Sequence, residues 1–144
     1  MADSGFRFHE HTADITVECW APTLELAFAE AALATFEVIM DTSTVEPKEA
    51  TPVSASGFDL SELLVEWIGK VIALIDLEYR FYSRFEVTRL VKEIDSYILE
   101  GSAWGEEIDL KKHVTRTEVK AMTYADLRID TEEKHTRIWF TLDL

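Results

Sequence analysis

The strongest constraint on the fold is a run of apolar residues at helical spacing in the middle of the chain. Leu60, Leu63, Leu64, Trp67, Ile68, Val71, Ile72 and Ile75 recur at i, i+3, i+4 and i+7 over four turns, the signature of a helix with one buried face. Asp59 followed by Glu62 has capping-box spacing, and Glu66 with Lys70 makes an i,i+4 pair on the wet face. Gly69 costs helix stability at that position and reads as the mark of a close helix–sheet contact.

A second helix is expected from about Leu24 to Met40, with Thr23 as its N-cap. Leu24, Phe28, Ala31, Ala32, Thr35, Phe36 and Ile39 follow its period, and its alanines raise propensity and allow close packing. The aromatics Phe28, Phe36 and Trp67 read as core. Elsewhere the period is two. Ile15, Val17 and Cys19 alternate with polar residues, as do Phe81, Phe85 and Val87. The stretches 97–104, 118–124 and 137–142 also read as strands. Helices in the first half and strands dominating the second predict α+β: two amphipathic helices packed on one face of a largely antiparallel sheet, in two layers.

With 144 residues and 47% apolar content, residues 1–144 are expected to form a single domain able to bury a core. The 28 acidic residues outweigh 14 basic ones, a net charge of −14. A phosphate backbone would be repelled by that field, so direct nucleic-acid binding is not expected; a basic protein partner or a cation is favoured. Cys19 is the only cysteine, which excludes an internal disulfide or a thiolate cluster. Asp3, Glu10 and Asp14 lie where a signal peptide would be apolar, and Lys70 and Asp76 interrupt the most apolar stretch. The chain reads as soluble and cytoplasmic, without a membrane partner.

Five scattered glycines form no phosphate-cradling loop, and no serine elbow or HExxH is present. Three segments concentrate polar chemistry. In the first, 8–15, His9 and His11 are candidates to flank a metal, or His11 and Asp14 to share a proton; a turn capped by Asp14 explains the same residues. In the second, the chain's end at Leu142-Asp143-Leu144 offers oxygen ligands suited to hard cations, or a solvated charged terminus. The third runs from Trp104-Gly105-Glu106-Glu107-Ile108-Asp109 through Lys112-His113 to Glu118-Val119-Lys120-Ala121-Met122-Thr123-Tyr124. It carries the basic run Lys111, Lys112 and Arg116 and serves equally as a connecting loop leading into a core strand.

Taken in order, these segments resemble the archease family. The match is carried by His11-Thr12-Ala13-Asp14-Ile15, by Thr23-Leu24-Glu25-Leu26-Ala27-Phe28, by Gly105-Glu106 through Asp109, Lys112-His113 and Val119-Lys120-Ala121 to Thr123-Tyr124, and by the final Asp143-Leu144. It spans essentially the whole chain. Thr16 and Ala21 stand where members often carry glycine, a difference of local strand geometry.

The resemblance implies an accessory protein, not an enzyme, that activates the tRNA-splicing RNA ligase RtcB by promoting its guanylylation and repeated turnover. It also implies a divalent-metal site, calcium first and magnesium or manganese as alternatives, with Asp14, Asp143 and an oxygen of Leu144 as ligands. His11 and Lys120 match motif positions without an implied role. An older reading of the family is a chaperone-like partner of RNA-modifying enzymes such as tRNA methyltransferases; a small metal-dependent hydrolase with His11 as base is a third. If Asp14, Asp143 and a Leu144 carboxylate are neighbours, their charges need protons or a cation. For the start of an early strand to lie beside the end of the last, the two must run antiparallel.

Overall fold

The computed structural model describes residues 3–144. Two antiparallel strands, β1 (Gly5–Glu10) and β2 (Asp14–Ala21), lead into helix α1 (Leu24–Ile39) and a single 3-10 turn (Thr42–Thr44). Strand β3 (Glu49–Gly57) precedes helix α2 (Leu60–Glu78), and four strands follow: β4 (Arg80–Lys92), β5 (Tyr97–Glu107), β6 (Ala121–Glu132) and β7 (His135–Asp143). The α+β expectation holds, and every strand pairing is antiparallel. The strands divide over two sheets, ordered β1-β2-β7-β6 and β3-β5-β4, a division that period-two patterning does not contain.

Both helices start where their caps dictate. Thr23 accepts from the Leu26 N–H at 3.2 Å and Asp59 from the Glu62 N–H at 2.8 Å, satisfying donors that the first turn leaves open. Glu62 in return accepts from the Phe58 N–H at 3.2 Å, a reciprocal bond one residue before the cap. The expected stripe is buried: Leu63, Leu64, Trp67, Ile68 and Val71 on α2 meet Ala27, Phe28, Ala31, Ala32 and Phe36 on α1 in one core. Trp67 satisfies its indole N–H on the Phe28 carbonyl at 2.9 Å, which ties the helices together. Each helix reaches both sheets, α1 packing on β2, β7 and β4, and α2 on β3, β6 and β5.

Gly69 departs from expectation. It is exposed, and a Cβ built there meets nothing within 4 Å. It lies on the wet face, between stripe positions, so no close contact explains it. Gly69→Ala is therefore expected to raise stability by about 1 kcal/mol, the helix-propensity difference alone. A urea midpoint at or below that of the parent protein would contradict this.

In the four-stranded sheet the pleat sorts side chains cleanly. Ile15, Val17, Cys19 and Ala21 of β2, with Ile138, Phe140 and Leu142 of β7, face the core. Their alternates, Asp14, Thr16, Glu18 and Trp20 opposite Asp143, Thr141, Trp139 and Arg137, line the outer face. Burial pushes the Cys19 thiol far above its ordinary value, with Glu30 and Glu18 adding to it, so it is a packing residue and no nucleophile. Among the described residues no helix is long and apolar enough to cross a membrane.

Candidate functional site

Strands β2 and β7 run antiparallel in a register that sets Asp14 directly opposite Asp143. Beyond that pair, the Leu144 N–H donates to the Ala13 carbonyl at 3.1 Å. Ala13 and Leu144 thus form a hydrogen-bonded pair, and antiparallel ladders alternate. Asp14 and Asp143 are therefore the closely spaced pair, with Cα atoms about 4.5 Å apart and side chains on one face. The chain end is pinned from its other side by the Lys120 N–H, which donates to the Asp143 carbonyl at 2.8 Å. The β1–β2 turn is closed by the His11 N–H donating to the Asp14 carbonyl at 3.0 Å.

Two carboxylates are so held face to face, Asp14 half-buried and Asp143 exposed, and neither makes an ion pair among the described residues. Like charges directly opposite on a sheet repel. The oxygen-only donor set of two facing carboxylates, with Leu144 the next residue along, is of the kind that fits a hard divalent cation. Among the described residues no group of three or more His, Cys, Asp or Glu side chains gathers in a metal cage. The side-chain donors here number two, so water or a partner's oxygens would complete a six- to eight-oxygen shell.

The other residues singled out in the first segment separate. His9 points along the sheet face to Glu18, at 3.4 Å, so it does not share a ligand site with His11. His11 and Asp14 share a turn through their main chains, with no side-chain bond between them among the described residues. Beside the acidic pair, β6 carries a wide bulge between Thr123 and Arg128, with Tyr124 exposed and Asp126 in the left-handed region at φ 58°. The Thr123 hydroxyl accepts from the Ala125 N–H at 3.1 Å and shapes it. The period-two reading of 118–124 does not reveal that bulge.

The third segment folds into a buried polar cluster. His113 is fully covered, and its Nδ1 accepts from the Asp109 N–H at 3.0 Å, which leaves Nε2–H to donate to Glu106 at 3.0 Å. Lys112 reaches the same carboxylate at 2.9 Å, and the Glu46 N–H donates to it at 2.7 Å. Burial pushes the Glu106 carboxyl up, but Glu46, His113 and Lys112 together outweigh it and hold its pKa at about 2, against an ordinary 4.5. Arg116 pins the rest of the loop, donating from its backbone to the Ile39 carbonyl and from its guanidinium to the Glu37 carbonyl, at 2.8 and 2.7 Å. Lys112 and Arg116 are thus spent on the loop's own anchorage.

A pH dependence follows. Between about pH 2 and 4.5 the unfolded chain binds more protons at Glu106 than the folded one, so stability rises with pH there. The contribution of Glu106 is complete above the unfolded value and is lost as pH falls toward about 2. Glu106→Gln is expected to flatten the acid limb of a melting-temperature profile. A parallel downward displacement of the whole profile would refute that.

The archease protein family model matches residues 6–144. Protein archease of Sulfurisphaera tokodaii is 43% identical over 139 residues, 96% of this chain and 98% of that protein. Its counterpart in Aeropyrum pernix is 42% identical over the full length of both chains. Among solved structures, protein 1598 of Methanobacterium thermoautotrophicum superposes with a TM-score of 0.81 at 35% identity, covering 97% of this chain and 99% of that one. A Thermotoga maritima protein described as an archease and possible chaperone shares the fold, with a TM-score of 0.54 at 15% identity and 94% of each chain covered. Family model and relatives agree along nearly the whole length: the chain belongs to the archease family.

Proposed function

We propose that this protein is a metal-binding accessory factor that activates an RtcB-type RNA ligase, promoting guanylylation and multiple turnover in tRNA splicing and RNA repair. The observation that carries the reading is the register of β2 and β7, which sets Asp14 opposite Asp143 with Leu144 tied alongside. Those are the residues expected to hold the ion. Asp14, Asp143 and a main-chain oxygen of Leu144 would hold a divalent cation, calcium in the first instance, which supplies charge neutralisation and a site for further oxygen ligands. The chain's own work is to hold two carboxylates together at a sheet edge while leaving part of the shell for a partner to complete. The acidic surface favours a basic docking face and makes association fall with salt.

The test is multiple-turnover ligation by an RtcB-type ligase with and without this protein. Asp14→Ala and Asp143→Ala are expected to lose most of the acceleration while remaining folded. Full activation by both variants overturns the metal-centred reading. A chaperone-like role with RNA-modifying enzymes is the second reading, favoured by the description of the Thermotoga relative. Metal-independent capture of a tRNA methyltransferase, with no effect on ligation, would select it.

A further inference from the structure

The outer face of the four-stranded sheet carries its second concentration of charge at the end opposite the acidic pair, about 20 Å away along β2. There three arginines gather on two tryptophans. Arg7 lies over the Trp20 ring at 5.1 Å and Arg137 at 5.4 Å, while Arg137 and Arg128 lie over Trp139 at 5.8 and 5.0 Å. Cation–π stacking of this kind fixes guanidinium planes that would otherwise be mobile. Trp20 itself leans onto Gly5, where an added Cβ would stand 3.0 Å from the indole. A cleft of about 280 Å³ opens here, walled by Asp3, Arg7, Trp20, Lys134, His135 and Arg137.

Several cationic groups converge on one carboxylate here. Glu18 is the buried carboxylate in this region; burial pushes its pKa up, and bonds from Arg137 and His9 with the nearby Arg7 bring it below the ordinary value. One guanidinium would offset that charge, yet Arg137, Arg7 and His9 all converge on it, the last two at 3.4 Å. Lys134 adds a further charge with no ion pair among the described residues. It occupies the two-residue turn between β6 and β7 at φ 62°, a backbone that favours glycine or asparagine. At that position its side chain lines the cleft beside two stacked arginines.

We propose that this cleft is a binding site for a small phosphate monoester, its phosphate held by Arg7, Lys134 and Arg137 and its organic part resting on Trp20. Guanidinium forks and an ammonium approaching from different strands suit a tetrahedral dianion. The volume suits a phosphate with an attached group no larger than a nucleoside. A long polyanion would meet the net charge of −14, whereas a single phosphate samples only the local field. The site shares no residue with Asp14, Asp143 or Leu144, so it stands apart from the function proposed above.

The experiment is calorimetric titration of the full chain in metal-free buffer without ligase, with AMP, ribose 5-phosphate, inorganic phosphate and adenosine as probes. Saturable binding of the phosphate esters, weakening with salt, is expected, and none of adenosine. AMP tighter than ribose 5-phosphate assigns Trp20 as a platform for the base; equal affinities assign recognition to the phosphate, and inorganic phosphate binding as tightly as either names the free ion. Lys134→Asn, which suits the turn, and Arg7→Gln are each expected to weaken binding about fivefold, the worth of one exposed charge contact. Absence of saturable binding by every phosphate probe overturns the proposal. So does adenosine binding as tightly as AMP, or parent-like affinity in both variants.

Discussion

Asp143→Asn is expected to stabilise the protein in chelator and to destabilise it relative to the parent in calcium. Asp143 faces Asp14 across a closely spaced register pair with no cationic neighbour in ion-pair range among the described residues. Without a cation, removing one charge relieves up to about 1 kcal/mol of repulsion. With calcium at a hundred times its dissociation constant, the parent gains about 2.7 kcal/mol. That is roughly 8 °C for a domain of this size. The variant, reduced to one carboxylate, should gain little, so the order of the two melting temperatures reverses. Asp14→Asn should behave alike, since the carbonyl that closes the β1–β2 turn is retained. Calorimetry in chelator and in calcium reads both limbs at once. A parent protein whose melting ignores calcium, magnesium and manganese would remove the ion from this pair.

Gly105→Ala carries the largest expected loss of stability, about 3 kcal/mol or more. Strand β4 is bulged between Tyr82 and Arg84 and again between Val87 and Arg89, and each bulge lies against a glycine of β5. A Cβ at Gly105 would stand 1.9 Å from the Phe81 carbonyl oxygen and 2.8 Å from the Tyr82 Cα. Both are backbone atoms, so relief requires opening the β4–β5 ladder. Gly105 also accepts from the Lys48 N–H at 3.1 Å and precedes Glu106, so the shift reaches the His113 cluster. Set against Gly69→Ala, the same substitution has opposite signs at two glycines of one chain. Urea unfolding of both variants measures the contrast, and a parent-like midpoint for Gly105→Ala would contradict the steric account.

How much of this was legible in the sequence depends on the range of the interaction. The helices were, because capping and the 3.6-residue period act within a few residues: Thr23 and Asp59 cap as expected and the α2 stripe is buried as far as Val71. Strands β2, β4, β5 and β7 follow from alternation. The edge strands β1 and β3 escaped it. β1 holds only Phe6 and Phe8 on its inner side, and β3 places Val53 and Ala55 among small residues and Pro52, too little apolar contrast for a period to register. The role of Gly105 lies in a close approach to another strand, which no local pattern encodes. Among sites, Asp14 and Asp143 became neighbours by sheet register, a long-range fact that motif resemblance anticipates and composition does not. The partnership of Glu18 with Arg137 and that of Glu106 with His113 have no sequence signal of their own, since each needs the sheet or loop already formed.

Two helices and four strands separate Asp14 in sequence from the residue it faces. During synthesis the first carboxylate waits for α1, β3, α2, β4, β5 and β6 before its counterpart on β7 emerges. Pairings of such separation close slowly and late. The facing carboxylates are thus absent from any nascent or truncated chain lacking β7, and their juxtaposition reports that this strand has been made and paired with β2.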